Sequence, residues 1–460
     1  MRPLLLSGFG INIGVNKRKL VIYKRQNNEI IEFFPHRISY DNIIVDGHYG
    51  AISFEAMRWL SKHGITLSLL NWNGNLLSVT TPKDPISGKL KIKQYKSYIT
   101  GTKRCKIAYE IINFKIEKLK ELLLMLTNFY KELNRDEILR IFNNELKNFA
   151  QNNVIEYENK TNKLEKLKED SQRIENNRIR VENKQNETEI YRIKIIEKSI
   201  KNNVIHTEIA ENSKSYLKNL MAYEGRIADY YWRALSKVFN KLYPEFNFKQ
   251  RKNLSYSQGM NASDYVNALL NYGYAILESV IRRDINIIGL DQNIGFLHEI
   301  NDSKTPLVYD LQELYRWLID LSIIQILEDK KIKKSDFIVT ENYHLRLREQ
   351  GIRYLLEKIT LNLNKRAEYG GKFCTFDNIL LDNVRKLGNF IEKDQKELKF
   401  DIPDIQISRN DNAELRNQIM RITPEIRKKL KINKSTLWYQ QKAIKGERTI
   451  KIYKSRNAAL

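Results

Sequence analysis

The pattern of apolar residues changes near residue 95, and this change constrains the fold more than any other feature of the sequence. Before it, seven short runs rich in apolar or β-branched residues alternate with Gly, Asn, Asp and Pro, as strands joined by turns do. One helix is predicted among them at Ser53–His63, with Ser53 as N-cap and Gly64 just after its end. The predicted strands are Leu4–Leu6, Ile11–Val15, Leu20–Tyr23, Ile30–Phe34, Ile43–Val45, Leu67–Leu70 and Leu76–Thr80.

From about residue 95 onward, apolar residues recur at helical spacing, as Ile112, Ile116 and Leu119 illustrate. The sequence therefore predicts an α+β fold, in which a β-rich domain precedes a larger all-α domain and a basic extension. The predicted bounds are 1–95 for the β-rich domain, 96–400 for the all-α domain and 401–460 for the extension.

A polar stretch at about 150–210 interrupts the predicted helical domain. It contains no Gly or Pro and is dominated by Lys, Glu and Asn. We expect a solvated helix or helical hairpin there, with a disordered insertion as the alternative.

The charge of the chain indicates a polyanionic partner. Lys and Arg number 79 against 55 Asp and Glu, which leaves a formal net charge of +24. DNA or RNA is the leading candidate, with an anionic membrane surface as the alternative. No apolar run approaches the ~18 residues of a spanning helix, and the N-terminal apolar run is too short for a signal peptide. Two cysteines exclude a disulfide framework or a zinc ribbon, so we expect a reduced, cytoplasmic setting.

Three side chains are candidate metal ligands: Glu224, His298 and Glu313. Two carboxylates and one imidazole can hold a divalent cation with open coordination positions, as chemistry at phosphate oxygens requires. Each also has a simpler explanation. Glu224 suits a solvated helical position or a pair with Arg226, and His298 suits a buried histidine bonded to a backbone carbonyl. Gly225 favours a special role, because glycine within a helix usually permits close approach of another backbone.

Asp310 and Glu313 stand three residues apart, so a helix places them on one face. Following Pro306, the same spacing is also that of a capping box at a helix start, with Asp310 as the cap. Capping and ligation can coexist. Taken together, Glu224, His298 and Glu313 form a hard, mostly oxygen set of ligands, which suits Mg²⁺ or Mn²⁺ better than zinc.

The chain resembles the CRISPR-associated integrase (the Cas-one family), which inserts new spacers into CRISPR arrays. The matching phrases follow the family's order over roughly residues 1–100 and 215–330. They are Leu4–Gly8, Gly50–Leu60, Leu69–Leu77, Tyr223–Ala228, Asn267–Tyr274, Gly289–His298 and Val308–Glu313.

The resemblance implies a β-rich domain that mediates homodimerisation and an all-helical domain that carries the active site. It implies that Glu224, His298 and Glu313 are metal ligands, with Asp310 as an accompanying acid. The implied reaction is attack of a DNA 3′-hydroxyl on a phosphodiester at the repeat boundary, a transesterification. The implied partner is a small ferredoxin-like CRISPR-associated subunit.

Basic side chains near these phrases are candidates for DNA contact. Between the ligand phrases we expect Arg251, Lys252, Arg282 and Arg283 to contact phosphates, although Arg282 can instead pair with Glu278 one turn before it.

The extension resembles a helix-turn-helix whose second helix opens at Ser435, so that Lys434 and Lys442 would meet DNA. A basic helix pair covering the catalytic domain is the alternative.

Three functions compete. The favoured one is a metal-dependent integrase of CRISPR adaptation. A transposon-encoded relative (a casposase) would perform the same chemistry on the ends of its own element without the ferredoxin-like partner. A non-catalytic DNA-binding scaffold would use only the basic surface.

Overall fold

The protein is described from a computed structural model. The chain divides into two compact units, Met1–Pro403 and Asp404–Leu460. In the second unit the structure describes only residues 427, 433, 435, 437 and 438. In the first it describes residues 2–47, 49–71, 74–82, 87–149, 187–251, 262, 264–300, 304–339, 345–393 and 397–403, with side chains of the helix at 187 only from residue 214.

The N-terminal part of the first unit contains two four-stranded sheets. One has the order β1-β5-β7-β8, with β8 antiparallel to β7 and the other pairs parallel. The other has the order β4-β3-β2-β6, in which only β2 and β6 are parallel. The strands are β1 Pro3–Ser7, β2 Ile11–Asn16, β3 Lys19–Lys24, β4 Glu29–Phe33, β5 Asn42–Asp46, β6 Gly50–Ile52, β7 Thr66–Leu70 and β8 Leu76–Thr80.

Both sheets share one apolar core with helix α1 (Phe54–Lys62). Leu6 and Ile43 from the first sheet, Ile22 from the second, and Leu60 from the helix are buried together. Helix α1 begins where predicted, because the Ser53 side chain accepts a hydrogen bond from the Ala56 N–H, as an N-cap does.

All seven predicted strands and the predicted helix are confirmed. Strand β6 was not predicted, because Gly50 and Ala51 do not form the apolar or β-branched run that marks the other strands.

The remainder of the first unit is mostly helical, which confirms the α+β organisation. Residues 135–149 are also helical. The other helices are α2 Gly88–Ile99, α3 Gly101–Leu126, α4 Glu187–Leu242, α5 Tyr265–Ile288, α6 Pro306–Gln312, α7 Arg316–Glu328, α8 Glu349–Leu363 and α9 Phe376–Glu392.

Helix α5 lies at the centre of this part and contacts α6, α7, α8 and α9. Its start is capped by Asp264, whose side chain accepts a hydrogen bond from the Asn267 N–H, and it ends at Gly289 in the left-handed conformation. Apolar side chains cover most of its circumference and are buried, as expected for a helix surrounded by others.

Two short hairpins differ from the predicted all-α composition of this part. They are formed by β9 (Phe337–Val339) with β10 (Leu345–Leu347), and by β11 (Arg366–Tyr369) with β12 (Lys372–Thr375). Within the polar stretch at 150–210, residues from 187 are helical and belong to α4, whereas its earlier residues lie outside those described. No helix in the described ranges has the length and apolarity needed to cross a membrane.

Candidate active site

Glu224 lies on α4, on the face that packs into the protein. Leu220, Ile227 and Tyr231 on that face are buried, as the helical spacing predicts. The alternative pairing with Arg226 is not found, because the Arg226 Nε donates to Glu145 Oε2 at 2.6 Å. The expected close approach at Gly225 is also wrong: a Cβ there would meet nothing within 4 Å. The inward position of Glu224 is therefore explained by the buried apolar residues on the same face of α4, and Gly225 does not contribute to it.

A lysine that the sequence analysis did not select joins the two candidate carboxylates. Lys115 on α3 places its Nζ 2.5 Å from Glu224 Oε1 and 2.6 Å from Glu313 Oε2. The three side chains are 10%, 20% and 7% exposed, in the order Lys115, Glu224, Glu313. One signal was available, because Lys115 falls four residues after Ile111 and four before Leu119, both buried. A charged residue on the apolar face of a helix indicates a buried partner.

Glu313 lies just after α6, in the break that separates it from α7. Arg316 Nη1 donates to Glu313 Oε1 at 3.0 Å. Burial raises the pKa of Glu313, but the positive charges of Arg316 and Lys115 outweigh it and lower that pKa to about 2. Burial likewise lowers the pKa of Lys115, and Glu313 and Glu224 outweigh it, so that the pKa is raised. Both groups are therefore charged at neutral pH.

His298 is held by Asp310 on α6. Its Nδ1 lies 2.7 Å from Asp310 Oδ1, which is the geometry of an Nδ1–H donating to a carboxylate. Burial lowers the pKa of His298, but the hydrogen bond to Asp310 and the negative charges of Asp310 and Glu313 together outweigh it, so the pKa is raised. The contact orients the ring and leaves Nε2 as the nitrogen that can meet a metal.

The carboxylate of Asp310 also fixes the backbone around His298. Asp310 is fully buried and accepts hydrogen bonds from the N–H groups of Phe296, Leu297 and His298, at 2.5, 3.0 and 3.0 Å. The prediction that Asp310 caps a helix start is wrong, since Thr305 is at the N-cap and Asp310 lies inside α6. Its carboxylate instead accepts hydrogen bonds from the backbone N–H groups of the irregular segment 296–298.

Gly295 permits this close approach. A Cβ there would lie 2.6 Å from Pro306 Cβ and 2.9 Å from Asp310 Oδ2, distances that real Cβ atoms essentially never show. The glycine therefore lets the chain before His298 lie directly against the start of α6.

Arg316 packs against a buried group of polar side chains formed by Tyr231, Tyr274 and Asp320. The Arg316 guanidinium lies 4.3 Å from the Tyr274 ring centroid. Tyr274 and Tyr231 donate to the two oxygens of Asp320, at 2.6 and 2.7 Å. The sequence analysis missed this group, although Asp320 is a single acid in the apolar stretch of α7, a position where a carboxylate needs partners.

The donor chemistry of the site suits a divalent cation, but its three donors are not all gathered at one point. In the described ranges no three acidic, His or Cys side chains are close enough to hold a metal as they stand. Nevertheless, one cation, the ammonium of Lys115, already lies within 2.6 Å of both carboxylates. Glu224, Glu313 and His298 Nε2 therefore fit Mg²⁺ or Mn²⁺ provided that the ammonium moves.

The family model described as CRISPR associated protein Cas1 matches residues 4–173 and 145–360, well over half of the chain. The chain belongs to the Cas1 family. It is 24% identical over 395 residues to the CRISPR-associated endonuclease Cas1 1 of Archaeoglobus fulgidus, covering 85% of this chain and 97% of that protein.

Two solved structures of this family's fold are similar to the chain. A casposase bound to integration product has a TM-score of 0.69 and 30% identity, covering 92% of this chain and 99% of that one. A CAS1 protein from Thermotoga maritima has a TM-score of 0.59 and 16% identity, covering 87% of this chain and 100% of that one. The second likeness concerns the fold alone.

The guanidinium groups that the sequence analysis selected in this Cas1 chain all bind side chains of the chain itself. Arg251 donates to Asn267 and Asn271 at 2.8 and 2.9 Å. Arg282 pairs with Glu278 at 2.6 Å, which confirms the alternative pairing, although a surface pair was expected and the two side chains are mostly buried.

Arg283 pairs with Asp284 and Asp377 at 2.8 and 2.9 Å. These pairings favour structural roles for Arg251, Arg282 and Arg283, and their contact with phosphate stays a prediction. Lys252, Lys434 and Lys442 lie outside the described residues, as does most of the predicted helix-turn-helix.

Proposed function

We propose that the chain is a metal-dependent DNA integrase that joins 3′-hydroxyl ends of new spacer DNA into a CRISPR repeat by transesterification. One observation carries the proposal: Glu224 and Glu313, from separate elements, converge on one cation. Membership of the Cas1 family and the net charge of +24 support a nucleic-acid substrate.

Glu224, Glu313 and His298 would hold the Mg²⁺ or Mn²⁺ ion. A bound divalent ion polarises the phosphodiester and stabilises charge on its oxygens. Asp310 keeps the proton of His298 on Nδ1, so that Nε2 is available as a ligand. Arg316 holds Glu313 Oε1 in place, and burial of Glu313 keeps water from one side of the carboxylate.

The partners follow from the same proposal. They are double-stranded DNA, both as the invading end and as the target repeat, a second copy of the chain, and a small ferredoxin-like subunit. Affinity for DNA should fall steeply with salt, because counterions released from DNA drive the binding of a basic protein.

A joining assay with purified protein tests the proposal. A labelled DNA with free 3′-hydroxyl ends is incubated with a repeat-bearing plasmid, the ferredoxin-like subunit and Mn²⁺. Glu224→Gln and His298→Ala should each abolish the joined product. Asp229→Asn is the matched control, because Asp229 is exposed on the same helix and forms a surface ion pair with Arg233 at 2.8 Å. Full joining by Glu224→Gln or His298→Ala would refute the site.

A casposase is the second candidate, and the casposase structure, similar over 92% of this chain, favours it. Such an enzyme would join the terminal repeats of its own element without the ferredoxin-like subunit. Running the assay with and without that subunit, on repeat and on terminal-repeat ends, separates the two. Metal-independent DNA binding with no joining or nicking under any divalent ion would instead indicate a scaffold.

A further inference from the structure

The ammonium of Lys115 is a buried cation held between carboxylates from two other segments. It is hydrogen-bonded to Glu224, 109 residues away along the chain. We propose that Lys115 is a resident counter-ion of the site, which holds Glu224 and Glu313 together without metal and leaves when a divalent cation binds between them. The proposal rests on the proposed function, since it concerns the same carboxylates, and it assigns Lys115 a positioning role.

The balance of charge supports this exchange. Glu313 is buried and Glu224 is 20% exposed, and carboxylates withdrawn from water to this extent need compensation, since an unpaired buried charge is costly. Lys115 and Arg316 supply two positive charges, which neutralise Glu224 and Glu313. A divalent cation added to this neutral set would meet an ammonium at the same oxygens, and the two cations would repel each other.

Departure of the ammonium leaves a net charge that a DNA phosphate can neutralise. The two carboxylates, Arg316 and a divalent cation together carry one positive charge. A single phosphodiester carries one negative charge, so it completes the balance. The exchange therefore favours metal binding in the presence of DNA and opposes it in the free protein.

The contacts of Glu313 indicate which oxygen changes partner. Oε1 is held by Arg316 at 3.0 Å. Oε2 lies 2.6 Å from Lys115 Nζ but has no partner in hydrogen-bond geometry. This ion pair is therefore close but poorly directed. Oε2 can exchange its cation while Arg316 keeps the carboxylate in place.

Lysine suits this role better than arginine. Its ammonium is a compact charge on a flexible stem, whereas a guanidinium makes rigid, paired contacts with carboxylates. The contrast with Arg316 is direct, because Arg316 is packed over Tyr274 and lies against Glu313. Lys115 is the mobile cation of the pair, and Arg316 the fixed one.

Binding of Mn²⁺ without DNA tests the proposal, with the signal of free Mn²⁺ followed by electron paramagnetic resonance. Lys115→Met should bind Mn²⁺ more tightly than the unchanged chain, by about tenfold or more, because no ammonium has to be displaced. Its melting temperature in EDTA should fall, and Mn²⁺ should raise it more than it raises that of the unchanged chain. Lys115→Arg should bind Mn²⁺ no more tightly than the unchanged chain.

Lys118→Met is the matched control. Lys118 is a buried lysine one turn further along α3, and it pairs with Glu121 of the same helix at 2.6 Å. Its loss should lower stability without changing the dissociation constant of Mn²⁺. Equal Mn²⁺ affinity in Lys115→Met and the unchanged chain would overturn the proposal. If Lys115→Met does not fold, tighter Mn²⁺ binding by Lys115→Arg than by the unchanged chain would overturn it.

These outcomes are distinct from failure of the proposed function. If the unchanged chain joins DNA with Mn²⁺ while Lys115→Met binds Mn²⁺ like the unchanged chain, only the role of Lys115 is refuted. A chain that neither binds Mn²⁺ nor joins DNA would refute both.

Discussion

Asp310→Asn should be among the most damaging conservative substitutions near the site. The Asp310 carboxylate accepts three backbone N–H bonds and contacts His298 Nδ1. An amide has only one oxygen. It can accept hydrogen bonds from the N–H groups of Phe296 and Leu297, or from the backbone N–H and Nδ1–H of His298, but not from both pairs. Two hydrogen bonds to a charged acceptor are then lost, at about 1.5–3 kcal/mol each. Relief from burying a charge offsets part of this, which leaves a net loss of about 2–4 kcal/mol.

Urea unfolding of the metal-free protein measures that loss, and NMR of the histidine rings gives a second, independent reading. Asp310 raises the pKa of His298, so that pKa should fall in Asp310→Asn. Because the folded pKa of His298 is raised, its stabilising contribution is complete below its ordinary pKa of about 6.5 and is lost as pH rises through the folded value. This pH dependence should disappear in the variant. A loss under 1 kcal/mol together with an unchanged His298 titration would refute the reasoning.

Two further predictions concern two glycines near the proposed ligands and the charge of Glu313. Gly295→Ala should destabilise the protein by about 1–3 kcal/mol, because the new Cβ overlaps Pro306 and Asp310 Oδ2. Gly225→Ala has open space at its Cβ and should stabilise the protein by about 0.5–1 kcal/mol. Urea unfolding of the two variants measures both changes, and equal changes in unfolding free energy would contradict this prediction. The pKa of Glu313 is lowered to about 2, so its stabilising contribution is complete above its ordinary value near 4.5 and is lost as pH falls toward 2. The difference in unfolding free energy between the unchanged chain and Glu313→Gln should therefore shrink over that interval, and a constant difference would contradict the assignment.

Local features of the fold could be predicted from the sequence because their causes are local. The strands of the two sheets follow short apolar runs between turn residues, and the Ser53 cap is a contact within one turn. The hairpin of β11 and β12 escaped prediction because its strands mix charged and apolar residues. A mixed pattern of this kind does not distinguish a strand from a loop.

Less of the candidate site than of the fold could be predicted from local sequence patterns. The resemblance selected Glu224, His298 and Glu313, and physical reasoning alone left each with a simpler explanation. The bridge by Lys115 could not be predicted, because it joins α3 to residues more than a hundred positions away. The helix cap expected at Asp310 was wrong because its actual partners, the backbone N–H groups of residues 296–298, belong to an irregular segment that no local sequence pattern reveals.

The long sequence separation within the Lys115 bridge also bears on biosynthesis. Glu224, His298 and Glu313 leave the ribosome one after another, and the last of them closes the loop that begins at Lys115 on α3. Until then, a nascent chain lacks the complete set of proposed ligands, however well its N-terminal sheets have folded. A product truncated before residue 313 would therefore lack Glu313, and the proposed site could assemble only in a longer chain.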